Sequence, residues 1–196
     1  MTSLDSAPRT HPLTRADWRA WLSAHHADTP AVWMVSWKAT TGRPRISYDD
    51  AVSEALAFGW VDSLPRRLDD ERTMLYFSRR KPTSAWSRPN KKRVEELRRQ
   101  GLMSDAGERA IAQAKRNGAW SRLDDVEDLV EPADLTAALA GLPPARTHWD
   151  AFPPSARRGI LEWIIQAKRP ATRAQRIAET ARLAAQNIRA NQWPRR

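Results

Sequence analysis

The apolar residues change their period near Pro89, and that change limits the chain to folds with a strand-bearing N-terminal part and an all-helical remainder. Strands send alternate side chains to opposite faces, whereas helices return a side chain to one face every three or four residues. Before Pro89 both periods occur. Trp18, Trp21, Leu22 and His25 recur at helical spacing behind Thr14 and Asp17, the two ends of a capping box. After Asp28-Thr29-Pro30, Val32, Met34 and Ser36 alternate with Trp33, Val35 and Trp37, which predicts a strand covered on much of both faces. Thr41-Gly42-Arg43-Pro44 turns the chain, and Ser47 caps a second helix through Val52, Ala55 and Leu56 that ends near Gly59. Two short apolar-bearing pieces flank Asp69-Asp70 and predict a hairpin or edge strands. Beyond Pro89 the pattern is helical throughout. Val94 and Leu97, then Ala106, Ala110, Ile111 and Ala114, then Leu135 and Leu139 mark three helices, and the acidic stretch between Trp120 and Asp134 predicts a connector. A longer helix carries Ile160, Leu161, Ile164 and Ile165, and another, opening at Pro170, turns Ile177, Ala181, Ala184 and Ile188 inward. The expected class is α+β: a small N-terminal antiparallel sheet with helices, then an all-helical C-terminal half. Two domains are expected, a ligand-pocket domain over 1–88 and a helical domain over 89–196 packed on it.

Composition removes whole classes of chemistry. The 196 residues include no cysteine, which excludes disulfides, zinc–thiolate sites, iron–sulfur clusters and cysteine nucleophiles. Seven glycines build neither a Walker loop nor a GxGxxG turn. Four histidines form no HxxxH pair, and there is no GxSxG elbow. No cofactor and no metal are expected. No apolar run approaches the roughly 18 residues of a membrane span, and no secretory leader is recognisable, so no membrane insertion and a cytoplasmic location are expected. The net charge of +10 invites a nucleic-acid partner, but its distribution weakens that reading: residues 1–88 hold 13 basic and 10 acidic residues, residues 89–196 hold 20 and 13. Much of the excess falls at helical spacing, where a solvated charged face is the commoner arrangement.

Ten tryptophans stand against two tyrosines and three phenylalanines. Most large aromatic side chains serve a core, yet a Trp-lined cleft rimmed by Arg could hold a flat or cationic ligand by stacking. The densest constellation is Tyr48, then Gly59-Trp60-Val61-Asp62, then Arg66, Arg67 and Arg80, then Trp86-Ser87-Arg88-Pro89-Asn90. Asp62 follows a helix C-terminus, whose dipole is negative, so it calls for a cationic partner such as Arg66, Arg67 or Arg80. Ser87 and Asn90 also suit the start of the helix carrying Val94. Tyr48, Trp60, Asp62, Arg66, Arg80, Trp86, Ser87 and Asn90 are the candidate ligand-binding residues, with Trp60, Asp62, Arg80 and Trp86 expected to line one pocket.

The same residues resemble the YdeI/OmpD-associated family, also described as bacteriocin-protection proteins. The resemblance rests on YDDAVSEALAFGWVDS (48–63), on RRLDDERTMLYFSRRKPTSAWSRPNKKRVE (66–95) and on AFPPSARRGILEWIIQAKRPATRAQRIAETARLAA (151–185). One position departs: the family carries a proline after the serine of FSxRK, where this chain has Arg79, so Arg79 inherits no role, while Arg80 matches the family's arginine. The resemblance implies an α+β N-terminal part, a helical C-terminus, a cytoplasmic protein, and a link to tolerance of antibacterial peptides or envelope stress. It supplies no catalytic residues. Three readings follow: a ligand-binding or sequestering protein for a small molecule or peptide; an enzyme with Asp62 as acid/base and Arg80 as anion clamp; and a nucleic-acid-binding regulator using Arg169, Arg173 and Arg176. The first agrees best with the family and with the missing catalytic motifs.

Overall fold

The structure, a computed structural model, describes residues 4–192; Trp193, one of the ten tryptophans, lies outside them. By internal contact the chain divides into two compact units, with the boundary between Arg122 and Leu123. The fold class is the expected α+β.

The first unit is built on a four-stranded sheet in the order β1-β2-β4-β3, with β1 at Arg9–Thr10, β2 at Ala31–Trp37, β3 at Trp60–Arg67 and β4 at Arg72–Arg79. β2 pairs antiparallel with β4 and β4 with β3, while the two-residue β1 joins parallel to β2. The expected hairpin about Asp69-Asp70 is present, but β3 starts earlier than its apolar residues suggest. Asp62, Ser63 and Pro65 interrupt the strand pattern, and the register shifts between Asp62 and Pro65. Such a bulge bends a strand and re-aims its side chains, and an edge strand such as β3 tolerates proline, which lacks the ladder donor.

Helix α1 (Arg15–His25) carries the expected capping box: the Thr14 hydroxyl accepts from Asp17 N, and Asp17 accepts from Thr14 N at 2.9 Å. Helix α2 (Tyr48–Ala57) is capped by the Ser47 hydroxyl. Both lie on one sheet face, where Trp18, Leu22, Val52, Leu56, Val32, Met34, Trp60 and Phe77 form a continuous core. The opposite face is covered around Trp33, Val35 and Met74, and Trp33 Nε1 donates to the Leu4 carbonyl at 2.7 Å. Alternation on β2 therefore has the expected meaning: each set of side chains enters a different apolar cluster.

Helices α3 (Arg88–Arg99) and α4 (Asp105–Arg116), grouped by their period with the helical half, pack within the first unit, since Val94, Leu97, Ile111 and Ala114 join the core beneath α2. Two glycines let α4 approach. Gly59 turns the chain at φ +75°, with Ala106 O and Ala110 Cβ each only 3.2 Å from where its Cβ would stand. Gly107 lies directly against the Ala57 carbonyl, to which Ser104 donates through both its backbone N (3.1 Å) and its hydroxyl (2.7 Å). One acid is sealed among these helices. Glu54, 1% exposed, receives Arg15 Nε and Arg19 Nη1, each at 2.6 Å.

The second unit comprises the short α5 (Asp124–Glu127), then α6 (Ala133–Ala140), α7 (Pro143–Ala151), α8 (Pro154–Ile165) and α9 (Pro170–Ala185). Each of the last three begins with proline in its first turn, where the missing N–H has no helical acceptor to lose. Pro143-Pro144 opens α7 in this way. Ile177, Ala181 and Ala184 are buried as expected, but Ile188 is 48% exposed because α9 ends at Ala185. Trp149 is fully buried and donates to Glu131 at 2.8 Å, and Glu131 and Asp150 share Arg146. The Arg146 guanidinium holds the Glu131 carboxyl below its ordinary range.

Three variants test this packing. Gly107→Ala is expected to cost about 1–3 kcal/mol in urea unfolding, because its methyl presses into backbone that cannot retreat. Glu54→Ala leaves two arginines free to turn toward water and is expected to cost about 1–3 kcal/mol. The Arg15→Ala/Arg19→Ala pair strands the buried carboxylate and is expected to cost more, about 3–5 kcal/mol.

Candidate functional site

A pocket of about 380 Å³ opens where the α2 cover of the sheet gives out. Its origin can be followed along the β2–β4 register. On the helix-covered face the cross-strand pairs run Val32–Phe77, Met34–Leu75, Ser36–Thr73, from two buried core residues to a pair of small hydroxyl side chains. Beyond Met34 and Leu75 the face is no longer filled, and Ile46 and Ala51 wall the space from the α2 side. The β3 bulge supplies the remaining wall through Asp62, Ser63 and Pro65. The floor is apolar and the rim carries Ser36, Arg45, Tyr48, Asp62 and Thr73.

The pocket's central polar contact joins two elements: Tyr48, on the first turn of α2, donates its hydroxyl to Asp62 Oδ2 at 2.8 Å. Partial burial, then the hydrogen bond to the Asp62 carboxylate, push the Tyr48 phenol up to about 12. Tyr48 is thereby held as a donor, which leaves Asp62 Oδ1 for a visitor. Arg45 has no hydrogen-bond or ion-pair partner among the described residues and brings a cation to the same rim.

The other candidates go elsewhere. Trp60 and Trp86 do not line this pocket; both are sealed in core at 0% and 1% exposure. Trp60 packs edge-on to Trp21 with ring centres 6.0 Å apart, and Trp86 lies under the Arg80 guanidinium at 3.9 Å. The expected single pocket of Trp60, Asp62, Arg80 and Trp86 therefore does not form, because the β3–β4 ladder buries Trp60 within the helix-covered core before the strand reaches the bulge. The hydrogen-bond partner of Asp62 is Tyr48 rather than an arginine, although the Asp62 charge is felt by Arg80. Arg66 lies on the opposite sheet face, over Trp33 at 5.0 Å and paired with Asp5 at 2.7 Å, and Arg67 pairs with Asp70. Ser87 stands at the α3 N-cap without a side-chain capping bond. Asn90 accepts from Arg93, which in turn binds Asp49 beside Tyr48. Of the arginines weighed for nucleic acid, Arg173 makes a two-pronged pair with Asp134 at 2.9 Å, and Arg176 covers Trp163 at 4.9 Å.

Sequence reading reached Tyr48 and Asp62 and missed Met34, Ser36, Arg45, Thr73 and Leu75. A signal for them was present: Ser36 and Thr73 are polar positions that end otherwise apolar alternating faces, the mark of a strand leaving its core.

An α+β unit with a part-apolar pocket, followed in the chain by a helical unit, defines the class of protein. Residues 10–110, just over half of the chain, match the family described as "Domain of unknown function (DUF8412)", and the chain belongs to it. Residues 128–187 match the family described as "Bacteriocin-protection, YdeI or OmpD-Associated", which bears out the resemblance in the helical unit. No curated protein and no solved structure matches the chain.

The site makes a spectroscopic prediction. The raised phenol means that the unfolded chain loses the Tyr48 proton near pH 10 and the folded chain only near 12, so the contribution to stability is complete below pH 10 and lost between 10 and 12. In a phenolate absorbance titration, Tyr48→Phe is expected to remove the latest step. Asp62→Asn is expected to move that step only part of the way toward 10, since partial burial remains.

Proposed function

We propose that this protein is a ligand-binding or sequestering protein of the YdeI/OmpD-associated type, acting in the cytoplasm, that holds a small amphipathic compound in the pocket closed by Tyr48 and Asp62. The observation that carries the reading is the pocket itself, about 380 Å³ with an apolar floor and a few convergent polar groups. Small-molecule sites have that size and lining. The volume admits a compact compound, or one or two side chains of a peptide, rather than a whole peptide. Its apolar part rests on Met34, Ile46 and Leu75, and its head donates a hydrogen bond, or presents a cation, to Asp62. Cationic amphipathic antibacterial compounds have this chemistry, which agrees with the bacteriocin-protection description of the helical unit's family.

Acid–base catalysis by the same pair is the weaker reading. A proton donor works best when its pKa lies near the working pH, and the Tyr48 phenol is displaced away from neutrality to about 12.

Calorimetric titration of the full chain with a panel of cationic amphipathic amines and short antibacterial peptides tests the proposal. At least one member is expected to bind. Asp62→Asn should weaken it about tenfold or more, as expected for loss of a charge-assisted hydrogen bond. Ser63→Trp, at the exposed rim, should block entry while leaving the melting temperature unchanged. No heat with any member, or affinity indifferent to both variants, would overturn the reading.

A further inference from the structure

A second cleft, of about 340 Å³, lies at the other end of the β3–β4 ladder. Trp60 pairs with Arg79 there, and Arg80 N donates to the Gly59 carbonyl at 2.9 Å, so the backbone that presents Arg79 and Arg80 is fixed by the ladder. The facing wall is the N-terminal half of α4, brought close by Gly59, and it contributes Ala106 and Arg109. His26, at the end of α1, completes the rim; its Nδ1 is spent on the Leu22 carbonyl at 3.0 Å, and its other ring nitrogen has no partner among the described residues.

Arg79, Arg80 and Arg109 all line this cleft, and no carboxylate does. Of the two acids in the first turn of α4, Glu108 is held by both prongs of Arg98, and Asp105 is exposed away from the lining. The Arg79 and Arg109 side chains have no hydrogen-bond or ion-pair partner among the described residues. Arg80 is more unusual. Its guanidinium lies on Trp86 and donates through Nη2 to the Ala85 carbonyl, while its Nε and Nη1 are buried and meet no acceptor. No anion is hydrogen-bonded to this cation, so its charge adds to the positive potential of the cleft that Arg80 lines. Burial lowers the Arg80 pKa to about 10 despite the Asp62 charge, which reports the same unsatisfied environment.

We propose that this cleft is a phosphate-group site, in which Arg79 and Arg109 hold the phosphoryl oxygens and the charge of Arg80 behind them adds to the attraction. Phosphate suits the cleft better than a carboxylate, because it carries up to two charges and enough oxygens to accept from two guanidinium forks at once. Arg79 thereby gains a role that the family resemblance does not give it. The cleft shares no lining residue with the Tyr48–Asp62 pocket.

The test is calorimetric titration of the full chain with inorganic phosphate and, separately, with a nucleoside monophosphate, each against sodium chloride at matched ionic strength. Phosphate is expected to bind and to raise the melting temperature where chloride does not. The Arg79→Ala/Arg109→Ala variant changes only exposed side chains, so it should melt like the parent without phosphate and bind phosphate about tenfold more weakly or worse. Tighter binding of the nucleoside monophosphate identifies a phosphate ester as the ligand, and equal or weaker binding identifies free phosphate. A response no larger than that to chloride, or equal affinity in the double variant, would overturn the site.

Discussion

Glu54 occupies the point where α1, α2 and the α3–α4 connection meet. It takes Arg15 on one carboxylate oxygen and Arg19 on the other, and Arg19 passes a further hydrogen bond to the Leu102 carbonyl at 2.9 Å. A carboxylate at 1% exposure would be expelled from the core without such partners, so its presence fixes the angle between the two helices that roof the sheet. That angle decides where the roof ends, and the Tyr48–Asp62 pocket begins where the roof ends. Arg15 also reaches Asp50 at 3.2 Å, next to the Ser47 cap, so the same network steadies the turn from which Tyr48 projects.

Tryptophan serves this architecture differently from what its abundance suggests. Trp18, Trp33 and Trp149 each bury a large ring and satisfy the indole N–H with a backbone carbonyl or a carboxylate, which makes them fixed struts of their units. Trp37, Trp86 and Trp163 lie beneath guanidinium groups at 4.2, 3.9 and 4.9 Å. Much of the arginine excess is likewise consumed within the fold, by stacking on these rings and by pairing with Asp and Glu, which leaves the net charge a poor guide to partners. The informative cations are those with nothing to pair with, Arg45 at one end of the β3–β4 hairpin and Arg79 and Arg109 at the other.

Much of the secondary structure was legible because its signals are local. The Thr14–Asp17 box, the Ser47 cap and the alternation from Val32 to Trp37 each depend on residues within a few positions of one another. The β3 strand was legible only in part. Asp62, Ser63 and Pro65 read locally as a break, and only the edge position and the bulge make them a strand. Tyr48 and Asp62 were recognised as candidates, but their hydrogen bond joins residues 14 positions apart and depends on the packing of α2 against β3.

The sequence by itself determined the class of fold, the two helical caps, the core-facing residues of β2 and α9 through Ala184, and the resemblance of the helical unit to the YdeI/OmpD-associated family, because periodicity, capping and family motifs are all written along the chain. Tertiary structure alone decided that α3 and α4 belong with the sheet, that Trp60 and Trp86 are core while Asp62 faces a pocket, and that Arg79, Arg80 and Arg109 share a cleft. The physical reason is the same in each case. A helical or strand period says which face of an element is buried but not against what, and a charged or aromatic side chain takes its role from the neighbour that packing brings to it.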